Sequence, residues 1–311
     1  MTDQAVEFDK LLKYGMDNKP KELIISDLKW KYLVRSVIRG ENILMVGPTG
    51  CGKTMAARLV SKVLNRPFFK FNMGSSDDAR ATLIGNTTYK KEIGTVFHPS
   101  PFVKAITTPK AVVLLDELTR GSHSAWNIAI PVLDFTQRDL RLDEDSDSDV
   151  IHVADGVCFI ATANIGNEYT ATRVLDKAIS GRFPIKIEME PLDGDQLKDL
   201  FSILYRPIPK AHYDVMAQLA SISDDIRLEC KKEDANISSI ISPRSMVKMT
   251  ELVRDEFTLA EIAEMAIYPE YPDDGGADSE RTFVKQILQI YFPVNATNPV
   301  NDVRKKKSVD F

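Results

Sequence analysis

The run Gly47-Pro-Thr-Gly-Cys-Gly-Lys-Thr54 sets glycines, a lysine and a hydroxyl at the spacing G-x-x-x-x-G-K-[ST]. Glycines let successive backbone N–H groups converge on phosphate oxygens, and a helix opening there adds its positive dipole end. Gly47, Pro48, Thr49, Gly50, Cys51, Gly52, Lys53 and Thr54 are therefore the expected ATP-binding residues. Lys53 is expected to reach the terminal phosphates and Thr54 to ligate Mg2+. Further on, Ala111-Val-Val-Leu-Leu-Asp116-Glu117 is an apolar run that ends in two carboxylates. Asp116 is expected to hold the magnesium, directly or through its waters, and Glu117 to polarise an attacking water. Ala161-Thr-Ala-Asn164 ends the next run with an amide that would sit beside Glu117 and orient that water. An acidic pair at a strand end is common by itself. One strand after a phosphate loop, it points to hydrolysis.

These residues need strand ends to stand on. Five short apolar runs supply them, at 43–46, 67–71, 111–115, 157–162 and 185–188. They are continuous rather than alternating, as strands covered on both faces should be. Helical stretches such as 53–64 and 124–135 lie between them, which predicts an α/β, three-layer domain on a parallel five-stranded sheet. Residues 1–40 read as helical, with Phe8, Leu11, Leu12, Leu33, Val34 and Ile38 at helical spacings and Pro20 as an interruption. The pattern changes after Pro191. Leu197, Leu200, Phe201 and Leu204 predict one buried helix stripe, and Val215, Leu219 and Ile222 a second. Ser242-Pro243 predicts an N-cap and first helical residue. The expected organisation is a helical extension at 1–24, a P-loop domain at 25–190, a small all-helical lid at 191–293 and a tail at 294–311.

A chain of 311 residues with 43% apolar and 27% charged residues fits an ordinary globular protein. The net charge of −5 and the absence of aromatic–basic stripes count against nucleic acid as a partner. Three cysteines, Cys51, Cys158 and Cys230, show neither metal-ligand nor disulfide-framework spacing. With no signal-peptide pattern at Met1-Thr-Asp-Gln4 and no spanning apolar run, a cytoplasmic location without membrane insertion is expected.

Taken in order, GPTGCGKT (47–54), VVLLDE (112–117), ATAN (161–164), LDKAISGRF (175–183) and SPR (242–244) make the chain resemble the AAA+ ATPases. Within them it resembles the MoxR-like, dynein-related group that includes the cobaltochelatase subunit CobS. Subgroup features are Leu83-Ile-Gly85, an insert at 86–99, Pro101-Phe-Val-Lys-Ala-Ile106 and a second hairpin insert at 138–153. The resemblance implies Arg182 as an arginine finger for the neighbouring subunit's nucleotide, and Arg244 as a second sensor on the lid. A cation in a helix first turn, as at Arg244, opposes the dipole and calls for an anion nearby. Arg120 and Arg173 are further candidates for action in trans. A finger in trans implies a homo-oligomer, commonly a hexameric ring in this family.

The acidic run at 143–149 starts like a calcium loop, but Ser148 and Ala154 stand where that loop needs glycine and glutamate. It reads better as the solvated tip of the second insert, open to a basic partner. Tyr89, Lys90, Lys91, Phe97 and His98 in the first insert are candidates to grip a substrate, or an ordinary surface hairpin. Arg304-Lys-Lys-Lys307 reads as a solvated cluster. With few residues ahead of the first core strand, specificity is expected from the inserts or from an adaptor, which in MoxR-like proteins commonly carries a von Willebrand factor A domain. The leading reading is a ring ATPase that remodels or activates a partner protein. Its alternatives are the motor subunit of a cobalt or magnesium chelatase, a nucleic-acid motor or loader, and a nucleotide-gated assembly protein without turnover.

Overall fold

A computed structural model describes residues 3–74, 78–91, 94–141, 150–164 and 177–292. The acidic run 143–149, Arg173 and the tail with its basic cluster lie outside the described residues. The chain divides into two compact units, Met1–Pro191 and Leu192–Phe311.

The first unit opens with α1 (Asp3–Asp17) and α2 (Asp27–Arg39), split where Pro20 forbids a continuous helix. Ser26 caps α2 by accepting from the Lys29 N–H, and left-handed Gly40 closes it. Fully buried Trp30 ties the two helices, its indole donating to the Gly15 carbonyl at 2.9 Å. There follow β1 (Ile43–Val46), α3 (Lys53–Val63), β2 (Phe68–Asn72), α4 (Ala79–Leu83), the hairpin β3 (Gly85–Lys90) and β4 (Gly94–Pro99), and α5 (Pro101–Thr107). Then come β5 (Val112–Asp116), α6 (His123–Leu133), the hairpin β6 (Asp139–Arg141) and β7 (Val150–His152), β8 (Cys158–Ala163), α7 (Lys177–Ser180) and β9 (Ile185–Glu188). Both inserts expected from the sequence are thus antiparallel hairpins.

Five strands form one parallel sheet in the order β2-β5-β8-β1-β9, with Ile43 opposite both Ile160 and Ile185. Alternate side chains feed two cores. Val112, Leu114, Cys158, Ile160, Ile43 and Met45 pack against α2 and α3 through Trp30, Ala56 and Val60. Val113, Leu115, Phe159, Ala161 and Leu44 pack against α5 and α6 through Phe102, Ile106, Trp126 and Leu133. Every residue of β5 and β8 is buried, at roughly 1.5–3 kcal/mol for each large apolar side chain, which is why these runs stay apolar until Asp116 and Thr162 near their carboxyl ends.

At the amino edge of the sheet, two guanidiniums bond to main-chain carbonyls. Arg138 donates to Val157 O (2.6 Å), Gly40 O (3.3 Å) and Asn42 Oδ1 (3.3 Å), and stacks 5.3 Å from the Phe159 ring. Arg66 donates to the carbonyls of Val37, Ile38 and Gly156. Between them, burial pushes the Cys158 thiol up to about 12, against the pull of both cations.

In the second unit, α8 (Gly194–Leu204), α9 (Lys210–Glu229), α10 (Pro243–Arg254), α11 (Leu259–Ile262) and α12 (Glu280–Gln289) enclose a core that includes Phe201, Leu219, Ile222, Met246, Met249 and Leu288. No strand occurs here among the described residues. Ser242 caps α10 with Pro243 at its first position, as the sequence predicts. Leu204 departs from the expected stripe: it is 42% exposed at the end of α8, where the chain leaves the helix before that face reaches the core. No described helix is long and apolar enough to cross a membrane.

Replacing Arg138 by methionine keeps the stacking on Phe159 but orphans three acceptors at the roots of β1 and β8. The expected loss is about 2–3 kcal/mol of unfolding free energy in urea titrations, with an unchanged denaturant slope.

Candidate functional site

Because all five strands run parallel, their carboxyl ends share one edge of the sheet. Val46 leads there into the glycine-rich loop, Asp116 ends β5, and Thr162 and Asn164 lie at and just past the end of β8. In open α/β sheets this edge is where ligands bind.

The loop is built for close approach. Gly47 has φ +147°, and a Cβ there would stand 2.1 Å from the Met189 carbonyl oxygen, so no other residue fits. Gly50 and Gly52 are also left-handed, and Gly52 opens α3. The Lys53 side chain is buried and donates to Gly47 O (2.7 Å), Pro48 O (2.6 Å) and Cys51 Sγ (3.6 Å). Burial lowers its pKa, against the pull of Cys51, Asp116 and Glu117. Burial also raises the Cys51 thiol, so this cysteine is a packed member of the loop.

Asp116 is the hub. Its Oδ1 accepts from Thr162 Oγ1 at 2.6 Å and Thr54 Oγ1 at 3.1 Å, and its Oδ2 lies 2.6 Å from Lys70 Nζ. Burial pushes this carboxyl upward, but the bonds from Lys70, Thr162 and Thr54 together hold it below the ordinary range. One nearly buried charge thus joins β5, α3, β8 and β2.

Glu117 takes a left-handed backbone at φ +56°, which costs a non-glycine residue about 1 kcal/mol. Its N–H donates to Thr162 Oγ1 at 2.9 Å, so one hydroxyl fixes both acidic residues. Its carboxylate accepts from Arg120 at 3.4 Å. Gly74 faces this pair: a Cβ there would meet Arg120 Cβ at 2.8 Å and Glu117 Oε2 at 3.2 Å. Asn164 is 9% exposed at the end of β8, the strand beside β5.

Of the two expected arginines, Arg182 stands apart from this cluster within the first unit, and Arg244 belongs to the second unit. Arg182 lies just before β9, at the amino edge. Its Nη2 bonds Asp134 Oδ2 at 2.9 Å, its carbonyl accepts from Asn42 Nδ2 at 2.9 Å, and its Nε is buried without a partner among the described residues. Arg244 is exposed in the first turn of α10, in the second unit, and no anion pairs with it there among the described residues. Arg120 is engaged within its own chain by Glu117.

Three participants belong to no motif: Lys70, Asn42 and Asp134. The sequence offered a signal for Lys70 alone, a lysine breaking the aromatic run Phe68-Phe-Lys-Phe71 on a strand expected to be covered.

The donor set suits a magnesium–nucleotide complex: three positive-φ glycines, of which Gly47 has no room for a Cβ, a buried ammonium, and a hydroxyl–carboxylate pair for the metal.

The sequence profile described as "AAA domain (dynein-related subfamily)" matches residues 42–183. SSP1341 of Staphylococcus saprophyticus, an uncharacterized protein, is 28% identical over 216 residues, covering 68% of this chain and 78% of its own length. BssE of Thauera aromatica, described as a candidate chaperone, is 35% identical over 149 residues, 46% of this chain and 48% of its own. A crystal structure of a candidate ATPase from Cytophaga hutchinsonii covers 92% of this chain and 96% of its own at TM-score 0.45 and 15% identity.

Thr162→Val removes a donor to a charged carboxylate and the acceptor for the Glu117 N–H. At pH 7 it should cost about 1.5–3 kcal/mol of unfolding free energy. Because the folded pKa of Asp116 is depressed, the stability it contributes is present above the unfolded carboxylate value. It is lost as pH falls through the folded value, so the gap between wild type and variant should narrow below about pH 4 in urea titrations.

Proposed function

We propose, on the premise that residues 42–183 are an AAA domain of the dynein-related subfamily, that this protein is a ring-forming Mg2+-dependent ATPase that remodels or activates a partner protein. The observation that carries it is the Thr54–Asp116–Thr162–Glu117 network at the mouth of the glycine-rich loop.

In this reading the loop N–H groups and Lys53 bind the triphosphate, with Lys53 leaving the carbonyls of Gly47 and Pro48 for phosphate oxygens. Thr54 and Asp116 hold the magnesium, which when bound neutralises charge on the terminal phosphates. Glu117 takes the proton of the attacking water, and Asn164 orients that water. Thr162 keeps Asp116 and Glu117 in register.

Arg182 supports the ring. The whole of β1, about 13 Å at ~3.3 Å per residue, separates Asn42, which binds the Arg182 carbonyl, from the end of Val46, where the phosphate loop begins. Asp134 holds the guanidinium at the far end of α6, also remote from Asp116. A finger anchored on the amino edge serves a neighbour's nucleotide better than its own. Arg244 then acts as the lid's sensor. The kinship with BssE, a candidate chaperone, favours a protein substrate, and the two hairpins with exposed Tyr89 are where it would be gripped. An adaptor with a von Willebrand factor A domain would supply specificity.

Glu117→Gln and Arg182→Ala should each lose about 10³-fold or more in ATP turnover while still binding nucleotide. Mixed one to one, the two inactive proteins should regain turnover. About a quarter of randomly formed interfaces then pair an intact Glu117 with a neighbour's intact Arg182. Absence of any recovery in rings shown to exchange subunits would rule out action in trans.

A further inference from the structure

Lys70 is the one charged residue of β2, in the run Phe-Phe-Lys-Phe-Asn. Phe69 and Phe71 pack into the core under α5, so strand alternation turns Lys70 to the opposite face, the side of Phe68 and α3. Its Nζ lies 2.6 Å from Asp116 Oδ2, although the Lys70 side chain is 41% exposed and that of Asp116 only 12%. A solvent-connected ammonium thus reaches inward to a nearly buried carboxylate. An ionised carboxylate has about four acceptor positions. Thr162 and Thr54 occupy those of Oδ1, and Oδ2 is shared between Lys70 and a longer contact from Thr54 at 3.3 Å. Two cations drawn to one carboxylate repel each other, most strongly where water is scarce.

We infer that Lys70 competes with magnesium for Asp116, so that loading the metal–nucleotide complex requires the ammonium to leave Oδ2. This rests on the reading of the loop and Asp116 as a Mg2+–ATP site. Lysine suits this role because its flexible four-carbon stem lets a point charge swing to solvent, which a bidentate guanidinium resists. The pair keeps Asp116 charge-balanced whenever the metal is away, so the carboxylate stays ionised and in place without a resident ion. The consequence is a raised threshold: nucleotide binding requires more free Mg2+ than the Thr54–Asp116 pair alone would dictate.

The test uses the full chain and a non-hydrolysable fluorescent ATP analogue, titrated at a series of free Mg2+ concentrations. Lys70→Met should lower the Mg2+ midpoint of analogue binding roughly two- to fivefold, the scale of a partly exposed ion pair. Lys70→Arg should hold the midpoint at or above that of wild type. Without nucleotide, Mn2+ followed by its electron paramagnetic resonance signal should bind Lys70→Met more tightly than wild type. Lys70→Gln keeps a polar side chain, and should reproduce the shift if the methionine variant melts early by circular dichroism. An unchanged midpoint in Lys70→Met and Lys70→Gln overturns the inference. So does weaker binding at every Mg2+ concentration with the midpoint unmoved, which would make Lys70 a phosphate contact. Wild type that binds no analogue at any Mg2+ concentration fails the nucleotide reading itself, a result distinct from either.

Discussion

A carboxylate at the end of a fully buried strand has to be hydrogen-bonded and charge-balanced, or it costs several kcal/mol and protonates instead. Asp116 meets that requirement with one group from each neighbouring element: Thr54 from α3, Thr162 from β8 and Lys70 from β2. The strand order is what brings these together, since β5 lies between β2 and β8 and the chain's first strand lies beyond β8. A different order would leave Asp116 without one of its three donors. The same carboxylate that stabilises the edge is therefore the one suited to a divalent cation. Whatever binds it has to replace bonds the fold already uses.

The opposite edge is governed by the reverse sign. Arg66 and Arg138 are cations whose described hydrogen bonds go to carbonyls and one amide, with no carboxylate among them. They close the roots of β1 and β8 and flank Cys158, which burial keeps neutral. Asn42 extends this layer: fully buried, it accepts from Arg138 and donates to the carbonyls of Leu133 and Arg182. The end of α6 and the turn before β9 are thus fixed to the start of β1. Asp134 and Arg182 are consequently placed by main-chain anchors as well as by their own ion pair.

The strands were legible from the sequence because burial on both faces removes polar residues, as at 112–115 and 158–161. Their ends were legible because the polar residues resume there. The glycine-rich loop could be read from spacing, since Gly47 tolerates no Cβ and the backbone alone dictates the residue. Lys70 and Asn42 could not be read that way. Each acts through a partner distant in sequence, Asp116 or Arg138 and Arg182, so the break that Lys70 makes in its aromatic run marks the residue but not its partner, and Asn42 leaves no local mark at all. Leu204 shows the converse: its spacing fits the buried stripe, but helix length decides which turn still faces the core. For Arg182 it was the anchors that stayed invisible, because Asp134 and Asn42 lie far from it along the chain.

Parallel strands force this division of the domain. Every strand end that can face phosphate is a carboxyl end, and every turn leading into a strand is on the far edge, so no single chain brings Arg182 to its own loop without breaking the Asn42 and Asp134 anchors. Releasing both would orphan a buried amide and a carboxylate, at a cost of about 1–3 kcal/mol for each group. In the proposed ring, a neighbour's amino edge would meet the loop with both anchors left intact. The separation of Arg182 from its own loop is thus a property of the sheet before it is a property of any arginine.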